Sequence, residues 1–233
     1  MALLAVEPLR THELDDFVDI FWTALEPLEA DMIIPMIYPQ GLQPDLRVRL
    51  RNRVLSGTDG DLEKYCFCVK DTTSHAIIAI SQWAIELHPP ETQEAADRAF
   101  DAALRAKNGL APVHGANQDL GDAFFRASFY AEHEATEGKP YVSLKLLATL
   151  PNYHRRGAGT LLLKRGLEWA DGLGLPVYLD AAVSGVALYE RHGFHVVEQI
   201  PFDGTKHGGR SAGRHWAMMR PVSVAKQTSH AVS

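Results

Sequence analysis

Cysteine is scarce in this sequence of 233 residues, which contains only Cys66 and Cys68. Two cysteines provide neither the framework of a disulfide-rich domain nor the four ligands of a structural zinc site. Because they stand two residues apart in a strand-like segment, their side chains point to the same side and have poor geometry for a disulfide. We therefore predict two small thiols in the core and a reducing, cytoplasmic location.

An excess of positive charge and long apolar runs are also missing. The formal net charge is −6, so neither a basic stripe for nucleic acid nor a standing affinity for anionic membranes is expected. No apolar run approaches the roughly 20 residues of a membrane-spanning helix. Residues 1–9 have no charged n-region and are too short for a signal peptide. We predict neither a nucleic-acid partner nor a membrane partner. With 46% hydrophobic residues, the chain can bury a full core.

The spacing of apolar residues predicts a series of strands and helices. The predicted strands cover residues 3–9, 65–70, 76–87, 141–150, 176–180, 194–201 and 215–220. The predicted helices cover residues 11–25, 44–55, 91–107, 119–136, 159–172 and 184–192, and Pro35 and Pro39 predict a loop after the first. This order indicates an α+β or mixed α/β fold with one sheet covered by helices. We expect one domain over residues 1–220, including a helical insertion at 88–139, and a flexible tail over 221–233.

A turn rich in glycine and arginine lies between a predicted strand and a predicted helix, in the sequence LATLPNYHRRGAGT at residues 147–160. Gly157 and Gly159 remove side chains where backbone amides must face outward, and the first amides of a helix have no partner within it. Together with the helix dipole and the charges of Arg155 and Arg156, these amides favour a phosphate group. The segment lacks the Walker lysine, and Leu162 stands where a dinucleotide fingerprint needs its third glycine. A tight turn without a ligand stays open as an alternative.

Two motifs in this order resemble the GNAT family of acetyltransferases. The segment at 147–160 is similar to the acetyl-CoA-binding motif of that family, and LYERHGF at 188–194 is similar to its second signature. One predicted helix and one predicted strand separate the two motifs, as in the family. The resemblance is strong over residues 141–202 and absent over 88–139. It implies a GNAT-like twisted mixed central sheet flanked by helices, with a helical insertion between the third and fourth strands.

The resemblance also implies where acetyl-CoA would bind. In GNAT-like enzymes the fourth strand splays from the fifth, and pantetheine lies in the gap like an added strand. An amide near Leu147 would stabilise the oxyanion. His154 departs from the usual Gln or Arg of the motif, and Ala182 stands where many members carry an asparagine that contacts the cofactor. The residues that the resemblance assigns to the cofactor are Leu147, Ala148, Thr149, His154, Arg155, Arg156, Gly157, Ala158, Gly159 and Thr160.

The resemblance assigns Tyr189 as the general acid that protonates the departing coenzyme A thiolate. A phenol has an ordinary pKa of about 10, so it holds its proton at neutral pH. The amine must lose a proton before it attacks, and the first candidate for this base is Glu86, at the end of the third strand. Asp180 ends the fifth strand near the expected acetyl site, and it is equally consistent with a role in the reaction and with a structural hydrogen-bonding role. The further candidates, all in the insertion, are Glu132, His133 and Glu134.

These features predict an acetyl-CoA-dependent N-acetyltransferase that acts on a primary amine, preferably of a small molecule. A long insertion on the acceptor side favours a closed pocket over the open groove that a protein substrate needs. The alternatives are a protein or peptide N-acetyltransferase and a non-catalytic acyl-CoA-binding module, which the missing asparagine at position 182 leaves open. The insertion is expected to shape acceptor choice and to leave the cofactor site unchanged. No metal-ligand spacing occurs, so no metal is predicted, and the oligomeric state is left open.

Overall fold

In the computed structural model, which describes residues 4–25, 33–58 and 60–223, seven strands form one sheet. The strands are β1 (Leu4–Pro8), β2 (Cys66–Asp71), β3 (Ile77–Glu86), β4 (Tyr141–Thr149), β5 (Val177–Ala182), β6 (His195–Gln199) and β7 (His215–Arg220). The helices are α1 (Leu14–Leu25), α2 (Ile33–Ile37), α3 (Pro44–Ser56), α4 (Leu62–Tyr65), α5 (Gln93–Asn108), α6 (Gln118–Thr136), α7 (Ala158–Leu173) and α8 (Val183–Glu190). The tail expected over 221–233 lies outside the described residues from 224 onward.

The sheet is mixed, and its strands are ordered β1-β2-β3-β4-β5-β7-β6. The pair β4–β5 is parallel, while every other neighbouring pair in the described sheet is antiparallel. The predicted fold class, a mixed sheet flanked by helices, is therefore confirmed. The helical insertion, α5 and α6, lies between β3 and β4 as expected, and it leaves and re-enters the sheet where Glu86 pairs with Tyr141.

Helices cover both faces of the sheet. Along β2, alternate side chains face opposite sides: Phe67 and Val69 pack towards α7, and Cys66 and Cys68 pack towards α1. Both thiols are free and buried. Burial raises the pKa of Cys66 to about 12 and contributes most to raising that of Cys68 to about 11. The two cysteines are therefore small core residues, as the sequence predicts.

A glycine lets α7 approach the sheet closely. A Cβ at Gly166 would lie 1.9 Å from Cζ2 of Trp83. Trp83 is fully buried, and its indole Nε1 donates a hydrogen bond to Oγ of Ser81 at 3.1 Å. Because the indole is held in place beneath the helix, this contact fixes the position of α7 relative to β3.

The insertion consists of two helices packed on each other and on the sheet. Phe100 of α5 stacks on Phe125 of α6 with 5.5 Å between ring centroids. The other side of α6 packs on β5 and β7, with Ala131 in one cluster with Tyr178. Leu179, the next residue of β5, belongs to the core beneath α7. Because side chains alternate along a strand, α6 covers the face opposite α7.

Two short helices differ from the expectations drawn from the sequence. The loop expected around Pro35 contains α2, in which Pro35 is the third residue. A proline is tolerated there because the first N–H groups of a helix have no intrahelical acceptor. α4 adds one turn before β2, and the side chain of Asp61 caps it by accepting from the N–H of Lys64. The other helices and strands lie where the sequence predicts them, with small shifts at their ends.

Candidate active site

β4 and β5 separate towards their carboxyl ends. Their parallel pairing begins at Val142 and Val177 and ends at Leu144 and Leu179. Beyond that point β4 continues along β3, and β5 continues along β7. In the described chain no strand occupies the space between them. The facing edges therefore have backbone groups available to an extended ligand placed in the gap.

A β-bulge coincides with the point of separation. Gln82 pairs with Leu146 and Trp83 pairs with Leu144, so Lys145 is an extra residue in β4. A bulge bends its strand and increases the local twist, which gives a physical reason for the divergence of β4 from β5. Lys145 is directed towards α6, where its Nζ lies 2.8 Å from the carboxylate of Glu132.

The turn between β4 and α7 carries a series of unbonded backbone amides. Arg155 and Gly157 both have left-handed backbones, with φ of 60° and 91°. The N–H groups of residues 155–160 have no acceptor among the described residues. They lead into the first turn of α7, where the helix dipole adds positive potential. The turn can therefore bind an anion such as a phosphate group.

The two glycines of this turn are not required by the packing of the chain itself. A Cβ at Gly157 would meet nothing within 4 Å, so the constraint there is the left-handed backbone. A Cβ at Gly159 would lie 3.5 Å from Oγ1 of Thr149, which is an ordinary contact. The absence of side chains here leaves the amides open to a ligand.

Of the charged or titratable side chains of the turn, His154 is hydrogen-bonded to the end of β4, whereas Arg155 and Arg156 extend from the surface. The Nε2 of His154 donates to the carbonyl of Thr149 at 2.8 Å, and the backbone N–H of His154 donates to that of Pro151 at 3.1 Å. His154 thereby ties the turn to the end of β4, and its contact with a cofactor stays a prediction. The side chains of Arg155 and Arg156 are exposed beside the free amides and add positive charge there.

Tyr189 lies in α8, which begins directly after β5, and it is 9% exposed. Its ring packs against Phe194 with 5.7 Å between centroids and lies over Gly185, where a Cβ would approach Cε2 to 2.8 Å. The hydroxyl has no hydrogen-bond partner in the described chain. Burial raises the pKa of the phenol above its usual range, so it keeps its proton at neutral pH.

Asp180 lies on the part of β5 that borders the gap, one residue beyond the last pair with β4. Its Oδ2 accepts from Oγ of Ser128 at 2.6 Å, and its Oδ1 accepts from the hydroxyl of Tyr178. Desolvation raises the pKa of Asp180 to about 6, with a smaller rise from Glu132, although the two hydrogen bonds and Lys145 favour the charged form. Asp180 therefore titrates close to neutral pH, as a general base requires.

The first candidate for the base, Glu86, lies beside the start of β4. It pairs with Tyr141 at the start of β4. Leu147 lies six residues further along β4, which is about 20 Å at the usual rise per residue. The role of Glu86 as the base stays a prediction, and of these two carboxylates Asp180 is the one that borders the gap.

The three candidates for the base in the insertion differ in their partners and in their exposure. Glu132 accepts from Oγ of Ser143 at 3.2 Å and from Nζ of Lys145 at 2.8 Å. Glu134 is exposed. The Nδ1 of His133 is buried and has no partner among the described residues. Of these side chains, Glu132 is the one that the structure brings to the gap.

Lys145 and Ser128 belong to the candidate site, although the two sequence motifs do not predict them. A signal for Lys145 exists, because it is the one charged residue in the strand YVSLKLLATL. Ser128 is separated from Asp180 by 52 positions, and no local pattern links them. Only the packing of α6 on β5 reveals their contact.

The described ranges lack both a metal-binding cluster and a helix suited to span a membrane. They contain no group of three His, Cys, Asp or Glu side chains arranged to hold a metal ion. No helix among them combines the length and the apolar character that crossing a bilayer requires.

A mixed sheet that opens between two parallel strands, with an amide-lined turn at the end of one of them, is the architecture that the two sequence motifs imply. The family model described as Acetyltransferase (GNAT) family matches residues 77–194, which is half of the chain. The chain therefore belongs to the GNAT family of acetyltransferases, and the resemblance read from its motifs is confirmed. It is accordingly an enzyme of the transferase class.

Solved structures similar to this chain include a mosquito arylalkylamine N-acetyltransferase like 5b, with a TM-score of 0.67, 15% identity, and 94% of this chain and 99% of that chain covered. A Drosophila melanogaster polyamine N-acetyltransferase has a TM-score of 0.62 at 15% identity, over 93% and 97% of the two chains. The ribosomal-protein-S18-alanine N-acetyltransferase from Escherichia coli has a TM-score of 0.50 at 15% identity, over 97% and 98%. At these identities the likeness concerns the fold. No curated protein sequence matches the chain.

Proposed function

We propose that this chain is an acetyl-CoA-dependent N-acetyltransferase that acetylates a primary amine of a small molecule. The observation that carries the proposal is that the open edge of β4, beyond Leu144, leads directly into the free amides of residues 155–160. An extended ligand with amide groups at one end and a pyrophosphate at the other suits both features. The strand edge suits the amides, and the turn suits the phosphates.

The residues present fit acetyl-CoA at this place. The N–H groups of residues 155–160 would take the pyrophosphate, with Arg155 and Arg156 adding charge. Leu147 and Thr149 would offer backbone groups to pantetheine along the open edge of β4. Ala148 is buried beneath α1, so it contributes through its backbone alone.

The reaction forms a bond between the amine nitrogen and the acetyl carbon and breaks the carbon–sulfur bond of the thioester. A backbone N–H near Leu147 would stabilise the negative charge on the carbonyl oxygen. Asp180 takes the proton that the amine loses, and Tyr189 gives its proton to the departing thiolate. Asp180 takes the place of Glu86 in this proposal because it borders the gap between β4 and β5.

Two observations support a small-molecule acceptor. α6 covers the face of β5 opposite α7 and contacts Lys145 of β4, so this face is not open beside the gap. Structures of arylalkylamine and polyamine N-acetyltransferases share the fold at TM-scores of 0.67 and 0.62. A protein or peptide acceptor is the second candidate, since the Escherichia coli enzyme for ribosomal protein S18 has a TM-score of 0.50. A non-catalytic module is disfavoured by the presence of both Tyr189 and Asp180.

The cellular location belongs to the same proposal. Cys66 and Cys68 are free and buried, and two residues that stand two positions apart on one strand have poor geometry for a disulfide. This supports a reducing compartment such as the cytoplasm.

A panel of amines assayed with acetyl-CoA and detection of the released thiol tests the proposal. The panel contains arylalkylamines, polyamines, and peptides with a free N-terminus or a lysine. We expect at least one small amine to release thiol well above the rate without acceptor. Release with peptides alone would favour the second candidate. Calorimetric binding of acetyl-CoA without release for any amine would favour the binding module, and absence of binding would refute the proposal.

A further inference from the structure

Helix α6 of the insertion contacts both strands that border the gap. Ser128 contacts Asp180 of β5, and one turn later Glu132 contacts Lys145 of β4. Residues four apart lie on the same side of a helix, so one side of α6 spans the place where β4 and β5 stop pairing. The insertion therefore contributes side chains to the site.

The carboxylate of Asp180 has two fixed donors in the described chain. Oγ of Ser128 lies 2.6 Å from Oδ2, and the hydroxyl of Tyr178 donates to Oδ1. An ionised carboxylate has about four lone-pair sites, so both oxygens keep room for the proton of a substrate. Tyr178 belongs to the same strand as Asp180. Ser128 comes from α6 and therefore fixes the carboxylate of Asp180 relative to the insertion.

The titratable groups around Asp180 come from several elements. On β7, Ala217 lies opposite Asp180, and the nearest titratable residue, His215, lies opposite Ala182. Ser128 is neutral, so its replacement leaves every surrounding charge in place. The titratable groups around Asp180 are Glu132 of α6, Lys145 and Tyr141 of β4, and Tyr178 of β5. Glu86 of β3 lies beside Lys145 and Tyr141.

We infer that Ser128 is a positioning residue, whose hydroxyl holds the carboxylate of Asp180 ionised and directed into the gap towards the acceptor amine. The inference rests on the proposed role of Asp180 as the base. A hydrogen bond to the charged form of a carboxyl lowers its pKa, so Ser128 keeps this carboxylate available at neutral pH despite its desolvation. The insertion then takes part in proton transfer in addition to any effect on acceptor choice.

Titration of Ser128→Ala tests the inference. The pKa of Asp180, about 6 with serine present, should rise by about one pH unit when the donor is lost. The change is followed in two ways: by the carboxyl ¹³C shift of labelled aspartate, assigned with Asp180→Asn, and by the acid limb of kcat/KM for the best amine. The ¹³C measurement needs no acceptor, so it is independent of activity.

Three variants serve as controls. Ser143→Ala removes a buried hydroxyl that donates to Glu132 in the same cluster, and it should move the Asp180 titration much less. Ser128→Thr and Ser128→Val introduce side chains of the same shape that differ in the hydroxyl. The pKa of Asp180 should therefore stay near the parent value in the threonine variant and match that of the alanine variant in the valine variant. This pair also provides the comparison if alanine impairs folding.

The possible outcomes separate the two proposals. If Ser128→Ala and Ser128→Val both titrate as the parent does, the positioning inference is overturned, whatever the role of Asp180. If Asp180→Asn keeps the parent rate and acid limb, the proposed base is wrong, and this result would appear even where the ¹³C titration confirms the hydrogen bond. The inference holds when the pKa of Asp180 rises in the valine and alanine variants but not in the threonine variant, and the acid limb of kcat/KM shifts by the same amount as the ¹³C titration.

Discussion

Replacement of Tyr189 by phenylalanine separates the chemistry of this residue from its packing. The ring packs on Phe194, and its hydroxyl has no partner in the described part of the chain. Loss of the hydroxyl breaks no hydrogen bond of the fold, so the free energy of unfolding should change by less than about 1 kcal/mol. Turnover should fall by on the order of 10²–10⁴, because the thiolate then leaves without a positioned acid. This corresponds to about 3–5 kcal/mol of lost transition-state stabilisation.

The measurement combines kinetics at saturating amine, calorimetry of acetyl-CoA binding and thermal unfolding of the same variant. Acetyl-CoA affinity should stay near the parent value, since the ring remains in place. Tyr65→Phe is the control: it removes a phenol whose ring packs on Trp169 at 5.8 Å, away from the gap, and should leave turnover unchanged. Parent turnover in Tyr189→Phe would refute the role as acid. A large drop in melting temperature would show that the hydroxyl serves the fold instead.

Three further substitutions test the turn, the packing of α7 and an ion pair. Gly157→Val puts a β-branched residue at a φ of 91° beside the free amides. The affinity for acetyl-CoA, measured by calorimetry on the folded variant, should fall at least about 10-fold. Unchanged affinity would remove this turn from the cofactor site. Gly166→Ala should lower the melting temperature by about 5 °C, because its Cβ would overlap Trp83. Gly172→Ala is the control, since a Cβ there meets nothing within 4 Å, and equal melting temperatures for the two variants would contradict the packing. The Arg220 guanidinium lowers the pKa of Asp171 from its ordinary 3.8, so the pair stabilises the fold above that pH and the contribution is lost as the carboxyl protonates. Arg220→Met should therefore lower the free energy of unfolding in urea by about 2 kcal/mol at pH 7 and by progressively less as the pH falls below 3.8. An equal loss at every pH would count against the pair.

The cofactor half of the candidate site is predictable because its determinants are local. The left-handed backbone at Gly157 and the start of α7 depend on a few consecutive residues, so the free amides follow from the sequence of the turn. The same holds for Tyr189, which one short motif places on the helix after β5.

The choice between Glu86 and Asp180 has no such local signal. Both residues lie near the end of a strand, and the sequence does not say which strand end borders the gap. The answer depends on the register of β3 with β4 and on the bulge at Lys145, where β4 turns away from β5. Register is set by pairing with distant strands, and here it places Glu86 at the far end of β4.

The sequence by itself determined the order of most helices and strands, the family and the turn with free amides, because short-range periodicity, local motifs and local backbone preferences specify them. Only the tertiary structure decided which carboxylate borders the gap and that the insertion reaches it through Ser128. These features depend on contacts between segments far apart in the chain, such as α6 and β5, whose partners are separated by 52 positions. Such contacts arise from the packing of whole elements on the sheet, which no pattern within one element encodes.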